Sequence, residues 1–175
     1  MVKASDIYVL SALVANEDEW TYRSFADRLH VPHPVVQRAL DRARTADLYS
    51  AERRRVHLPH FEEFAVHALR FVAPAPLGAL APGILAAWAA EPMAGAIRSS
   101  GEDPPPVWPH AQGRVRGQAI EPLHPAAPEA VEDWPRLGAI LAILDSLRAG
   151  DPRVRKVAED LLSKMLRERA KDNSR

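Results

Sequence analysis

Proline placement constrains this chain more than any other sequence feature. Of its sixteen prolines, only Pro32, Pro34 and Pro59 fall in the first 72 residues, and only Pro152 falls after residue 135. The remaining twelve crowd residues 73–135, including the run Pro104-Pro105-Pro106. Proline removes a backbone donor and fixes φ, so long helices are excluded from the middle and allowed at both ends. The sequence therefore divides into a compact N-terminal domain over 1–73, a Pro-rich irregular arm with a short strand over 74–132, and a C-terminal helical segment over 133–175. With 175 residues and 47% hydrophobic content there is enough apolar material for a core, and wholesale disorder is not expected.

Within the first part the apolar spacing is helical. Ile7, Leu10, Leu13 and Val14 form a stripe on a first helix capped by Ser5. Thr21 caps a short second helix containing Phe25, Ala26 and Leu29. His30-Val31-Pro32-His33 is a tight connection, and a third helix over 34–45 starts at Pro34, where the missing N–H costs nothing. Its inward face is Val36, Ala39, Leu40 and Ala43. Two short apolar runs around an arginine-rich tip, Leu48 to Leu58, predict a two-stranded hairpin. A fourth helix then buries Phe61, Phe64, Ala65, Ala68, Leu69 and Val72.

The segment WTYRSFADRLHVPHPVVQRALDRARTADLYSAERRRVHL resembles the winged helix-turn-helix domain of bacterial transcription regulators. The chain departs from that pattern at two places. His30 and Asp47 stand where glycine is common, so both are expected to reach a left-handed conformation at some cost. The later motif PPVWPHAQGRVRGQAIEPLHP resembles the region following the helix-turn-helix in a group of uncharacterised bacterial regulators, and that resemblance supplies no chemistry. The implied fold class is mainly α with a small β-hairpin wing: an N-terminal winged helix-turn-helix, a Pro-rich extended arm and a C-terminal helical hairpin.

Advancing 100° per residue along the third helix groups its apolar residues on one arc and leaves Gln37, Arg38 and Asp41 on the other. Glutamine can bond adenine and arginine can bond guanine bidentately, so Gln37 and Arg38 are the candidate base readers. His33 and Asp41 belong to the same outer face. Arg42, Arg44 and the wing residues Arg53, Arg54 and Arg55, within 50–56, are the candidate phosphate contacts. Formal net charge is +0, yet residues 38–58 hold six arginines against Asp41, Asp47 and Glu52. The expected partner is double-stranded DNA, bound weakly per subunit and in a salt-dependent way. A homodimer is expected to read two half-sites, joined through the C-terminal helices.

The alternative is an antitoxin-like or adaptor module, in which the Pro-rich arm and C-terminal helices clasp a protein partner. Those helices carry Leu137, Ile140, Leu141, Leu144 and Leu147, then Val154, Val157, Ala158, Leu161, Leu162, Met165 and Leu166. Trp88, Trp108 and Trp134 are expected to pin the arm to the body. Asp133 is the expected cap of the first C-terminal helix, and the polar tail beyond Arg169 is expected to fray.

Enzyme chemistry finds no foothold. With no cysteine, thiolate metal sites, disulfides and cysteine nucleophiles are excluded. No GxGxxG, GxxxxGK[ST] or GxSxG occurs, and Gly113 and Gly117 precede no helix that could hold phosphate. His60, Glu63 and His67 share a helical face near His57, but this helix already packs a core, so no metal and no cofactor are expected. The N-terminal stretch lacks a signal-peptide pattern, and Leu77 to Ala90 is too short and too broken to span a bilayer. A cytoplasmic bacterial protein with no membrane partner is the expectation, the bacterial origin resting on an arginine- and alanine-rich composition.

Overall fold

A single apolar core runs from Ile7 to Leu166, so the helical ends and the proline-rich middle share one interior. The architecture is that of a computed structural model describing residues 1–98 and 101–172. It is mainly helical, with a small two-stranded antiparallel sheet. In chain order α1 is Ala4–Ala15, α2 Tyr22–Arg28 and α3 His33–Thr45. The strands β1 Tyr49–Ser50 and β2 Arg55–Val56 follow, then α4 Leu58–His67 and α5 Leu69–Val72. The middle contains β3 Leu80–Leu85, a 3-10 turn Ala87–Ala89, α6 Met93–Ala96, β4 Pro106–Pro109, β5 Val115–Ala119 and α7 Ala127–Ala130. Two long helices close the chain, α8 Pro135–Ala149 and α9 Pro152–Asp172.

α1 lies at the centre. Every residue from Asp6 to Ala15 is buried, where the sequence suggests a single apolar stripe. The difference arises because α3 covers one side of α1 and α8 covers another. Polar groups on so enclosed a helix need internal partners. Ser11 Oγ donates to the Ile7 carbonyl at 2.7 Å, and the Tyr8 hydroxyl donates to Leu29 O at 3.0 Å. The helix begins two residues earlier than a Ser5 cap would place it. Lys3 is the capping residue, and its N–H donates to the Asp6 carboxylate at 2.9 Å.

α2 starts as its sequence suggests. Ser24 N–H donates to Thr21 Oγ1 at 3.1 Å, while Thr21 N–H donates to Ser24 Oγ at 3.0 Å. The expected fourth helix is divided at Ala68, giving α4 and the one-turn α5. For α8 the N-cap is Trp134, not Asp133. α9 continues past Arg169 to Asp172, and the last three residues of the expected tail lie outside the described residues.

The proline-rich middle carries more order than one short strand. β3 pairs antiparallel with both β4 and β5, and β4 pairs parallel with β5, so three strands close on themselves. A circuit of three strands leaves almost no interior, and glycine makes it feasible. A Cβ on Gly83 or Gly117 would lie under 3.0 Å from the backbone of Trp108 or Pro105, and one on Gly113 would strike Gly83 itself. The paired glycines that precede no helix are therefore packing devices of this closed sheet. Pro82, Pro106 and Pro109 are accommodated because each strand is short, at four to six residues.

The C-terminal pair packs on its own chain. α8 is buried from Ile140 through Arg148 on every face, against α1, α5, α9 and the 3-10 turn. That half of α8 packs within its own chain, while its first turn, with Pro135 and Arg136, stays exposed. α9 buries only Val154, Ala158, Leu162 and Leu166, the stripe expected of an amphipathic helix lying on a body.

Candidate nucleic-acid interface

The third helix separates its two faces sharply. Val36, Ala39, Leu40 and Ala43 are at most 2% exposed. His33, Gln37, Arg38, Asp41 and Arg44 are all exposed on the remaining surface. Val36 and Leu40 hold α3 against α1 and α2, so the outer side chains stand on a helix that the core positions. The helix spans His33–Thr45, one residue longer at its start than the proline position suggests.

Both connections to α3 use left-handed residues. His30 has φ 54° and Asp47 has φ 56°, the conformations expected where each replaces glycine. At the first turn, Val31 N–H bonds Ala26 O at 3.1 Å, and Val31 is buried beneath it. At the second, Leu48 N–H bonds Ala43 O at 2.9 Å and turns the chain into β1. The hairpin is minimal, with Tyr49 opposite Val56 and Ser50 opposite Arg55. Tyr49 and Val56 are buried, which anchors its root while residues 51–55 stay exposed. At the tip Arg54 has φ 51°.

The six arginines of this region do not behave alike. Arg42 points inward: its Nε and Nη2 donate to the two oxygens of Asp6, at 2.9 and 2.6 Å. Asp6 is fully buried, so this bidentate pair supplies the counter-charge its carboxylate needs and raises the arginine pKa still further. Arg42 is thus a brace between α1 and α3, a role without a local sequence signal because Asp6 is 36 residues away. Arg54 folds back onto the Trp20 ring, 4.3 Å from its centroid, and donates to Trp20 O at 2.9 Å. Together with Arg55 it lines a cleft that also contains Glu17, Asp18, Glu19 and Asp172. Arg38, Arg44 and Arg53 keep their side chains on the exposed surface.

Tyr22 was not among the sequence candidates for this face. It opens α2 and meets the His33 ring edge-on, with centroids 5.6 Å apart. A capping threonine followed by an aromatic residue is the only sequence hint of it. The other candidate ligand set separates too. Among the described residues, the group that converges is Asp47, His57 and His60, not His60 with Glu63 and His67.

No protein-family model, curated protein or solved structure matches the chain. Functional inference therefore rests on the residues themselves. An exposed polar helix face flanked by a short basic hairpin can lie along a groove and touch phosphates.

Among the described residues, no helix is long and apolar enough to cross a membrane. The larger clefts lie elsewhere. One of about 850 Å³ is walled by Leu77, Leu85, Trp88 and Ile97, on the side carrying β3.

Proposed function

We propose that the chain is a winged helix-turn-helix transcription regulator that reads double-stranded DNA with α3. The observation that carries this is the division of α3 into a fully buried apolar face and an exposed face bearing His33, Gln37, Arg38, Asp41 and Arg44. A helix of this kind fits the major groove, about 12 Å wide, where Gln37 and Arg38 face base edges from its N-terminal half. Arg44 and Arg53 serve as phosphate contacts. Arg42 acts indirectly, by fixing α3 to α1 through Asp6. Arg54 shapes the hairpin through Trp20 and contributes less to phosphate binding than its place in the triple arginine suggests.

The test is a fluorescence-anisotropy titration of the purified chain against its own upstream DNA and a scrambled duplex at two salt concentrations. Preference for the upstream duplex that weakens as salt rises is expected. Arg38→Ala should weaken specific binding by about 1–3 kcal/mol and relax base preference at one position. Equal, weak binding to both duplexes would overturn the regulator reading.

A protein-interaction role is favoured by a different observation. Phe71, Val72, Leu77, Leu80 and Leu85 are 69, 45, 40, 50 and 39% exposed, over a short stretch of chain. Exposed apolar side chains grouped in this way suit a protein partner, including a second copy of the chain. Sedimentation velocity of the free chain, followed by Leu80→Glu, tests the second copy; a monomer at all concentrations would exclude it.

A further inference from the structure

Two of the seven histidines converge on one carboxylate at the root of the hairpin. Asp47, left-handed at φ 56°, carries its carboxylate across to the far strand. His57 follows β2 and caps α4, and His60 lies in the first turn of that helix. His57 Nδ1 is 3.3 Å from Asp47 Oδ1, and His60 Nδ1 is 3.3 Å from Asp47 Oδ2. The three donor atoms lie within 4.8 Å of one another. Adjacent ligands of a tetrahedral ion with bonds of about 2.0–2.1 Å stand about 3.3–3.4 Å apart. Each imidazole Nδ1 already stands at that length from one carboxylate oxygen, His57 from Oδ1 and His60 from Oδ2, so a small rotation of the side chains brings one oxygen and both nitrogens onto a common ion.

We propose that Asp47, His57 and His60 form a binding site for a divalent transition-metal ion of the zinc class. Two imidazole nitrogens and one carboxylate suit zinc, nickel or cobalt better than calcium or magnesium, which favour all-oxygen shells. A cleft of about 480 Å³, lined by Ser50, Arg53, His57 and His60, opens beside the cluster and gives water access to the remaining coordination position. The side chains of Asp47, His57 and His60 are 71, 34 and 48% exposed, as suits an exchangeable ion and not a buried structural one. His60 Nδ1 lies 2.8 Å from the Asp47 carbonyl, so that nitrogen carries the proton and donates it. Metal binding replaces this proton with the cation, and the ring proton moves through solvent to Nε2. The bound ion would tie the end of α3 to β2 and α4, fixing the hairpin root against the helix. The site stands whether or not α3 reads DNA.

Isothermal titration of the full chain with zinc chloride, and cobalt absorption spectroscopy, test the site together. One equivalent of zinc should bind, cobalt should show tetrahedral d–d bands, and zinc should move the ring resonances of His57 and His60. His57→Gln and His60→Gln should each lose more affinity than the roughly 10–100-fold that removing an outer-shell partner costs, whereas His67→Gln should bind as the parent does. The ring resonances of the unmodified chain decide the matter if either variant fails to fold. No saturable binding below millimolar zinc, or zinc shifting His67 in place of His57, would overturn the proposal.

Discussion

Removing the Asp145 side chain should be among the most damaging single changes available to this fold. Asp145 is 1% exposed and receives two donors: Trp108 Nε1 at 2.7 Å and Arg148 Nη1 at 2.6 Å. Arg148, with its side chain 3% exposed, also donates to Ala73 O at 2.7 Å and Glu121 O at 3.0 Å. One guanidinium thus joins α8 to the chain entering the closed sheet and to the chain leaving it, and one carboxylate joins it to β4. Burial pushes the Asp145 carboxyl upward, opposed by Arg148 and the indole N–H. In Asp145→Ala the guanidinium keeps two carbonyl partners but loses its only carboxylate, and an uncompensated buried charge costs about 3–5 kcal/mol. The orphaned indole N–H adds about 1–3 kcal/mol. For a chain of this size that corresponds to a fall in Tm on the order of 10 °C. Urea unfolding followed by far-UV circular dichroism measures it, since indole fluorescence would itself respond to the lost bond. Arg148→Met should be comparably costly, and Asp145→Ala/Arg148→Met should fall short of the summed singles by about 2–3 kcal/mol. A single-variant cost under about 1 kcal/mol, or strict additivity in the cycle, would refute the argument that this pair is a coupled, buried clamp.

Two further outcomes follow from particular contacts. Gly117→Ala places a methyl group against the Pro105 carbonyl and the Val107 side chain; a loss of about 1–3 kcal/mol or more is expected, read by thermal melting, while Gly101→Ala, with nothing near its Cβ, should be milder and limited to the strain of a positive φ. Acidification should destabilise the protein through His124, whose pKa burial holds below its usual 6.5. The neutral ring stacks on Tyr8 and its Nδ1 accepts from Ala126 N–H at 3.1 Å. The unfolded chain therefore binds this proton first, so stability is lost as pH falls from about 6.5 towards the folded value. His124→Asn should flatten that part of the pH–stability curve, and an unchanged slope would exclude His124 as its source.

How far the sequence could be read depended on how local each determinant was. The Thr21 cap and the apolar face of α3 are each set within a few residues and follow from periodicity and capping chemistry, whereas the left-handed turns at His30 and Asp47 follow from the resemblance to the winged helix-turn-helix pattern. Arg42 looks like a phosphate contact in the sequence because its partner Asp6 lies 36 residues away and resembles an ordinary first-turn acid. The contact of Arg54 with Trp20 is equally hidden, since Trp20 lies 34 residues earlier. The closed sheet was hidden more deeply. Its strands are short and proline-bearing, so neither alternation nor β-propensity marks them. The glycines required by its closest approaches resemble loop glycines until the three strands are placed together. Of the converging group Asp47, His57 and His60, only Asp47 has no sequence signal, because it lies outside the helix whose spacing groups His60 with Glu63 and His67.

The division at residue 73 is also open to a direct test. A helix bearing only Ile7, Leu10, Leu13 and Val14 on its apolar stripe could sit at the edge of an autonomous three-helix unit. α1 instead is enclosed from Asp6 to Ala15, and α8 supplies part of that enclosure. Ending the chain after Ala73 would bare the α8-facing side of α1 and the α5 surface that α8 covers. Burying a large aliphatic side chain is worth about 1.5–3 kcal/mol, against a total stability of about 5–15 kcal/mol for a whole domain. Exposing even a few such residues therefore removes most of the margin. A fragment over 1–73 is expected to be aggregated or to lack a cooperative thermal transition, whereas the full chain should unfold in one step. A soluble fragment with sharp melting would show that the N-terminal helices and hairpin are a domain in their own right, and that α8 merely shelters them. If the fragment fails as expected, the position of α3 depends on helices nearly a hundred residues away, and core variants in α8 should, on the proposed DNA-reading role of α3, weaken binding without changing any residue on its exposed face.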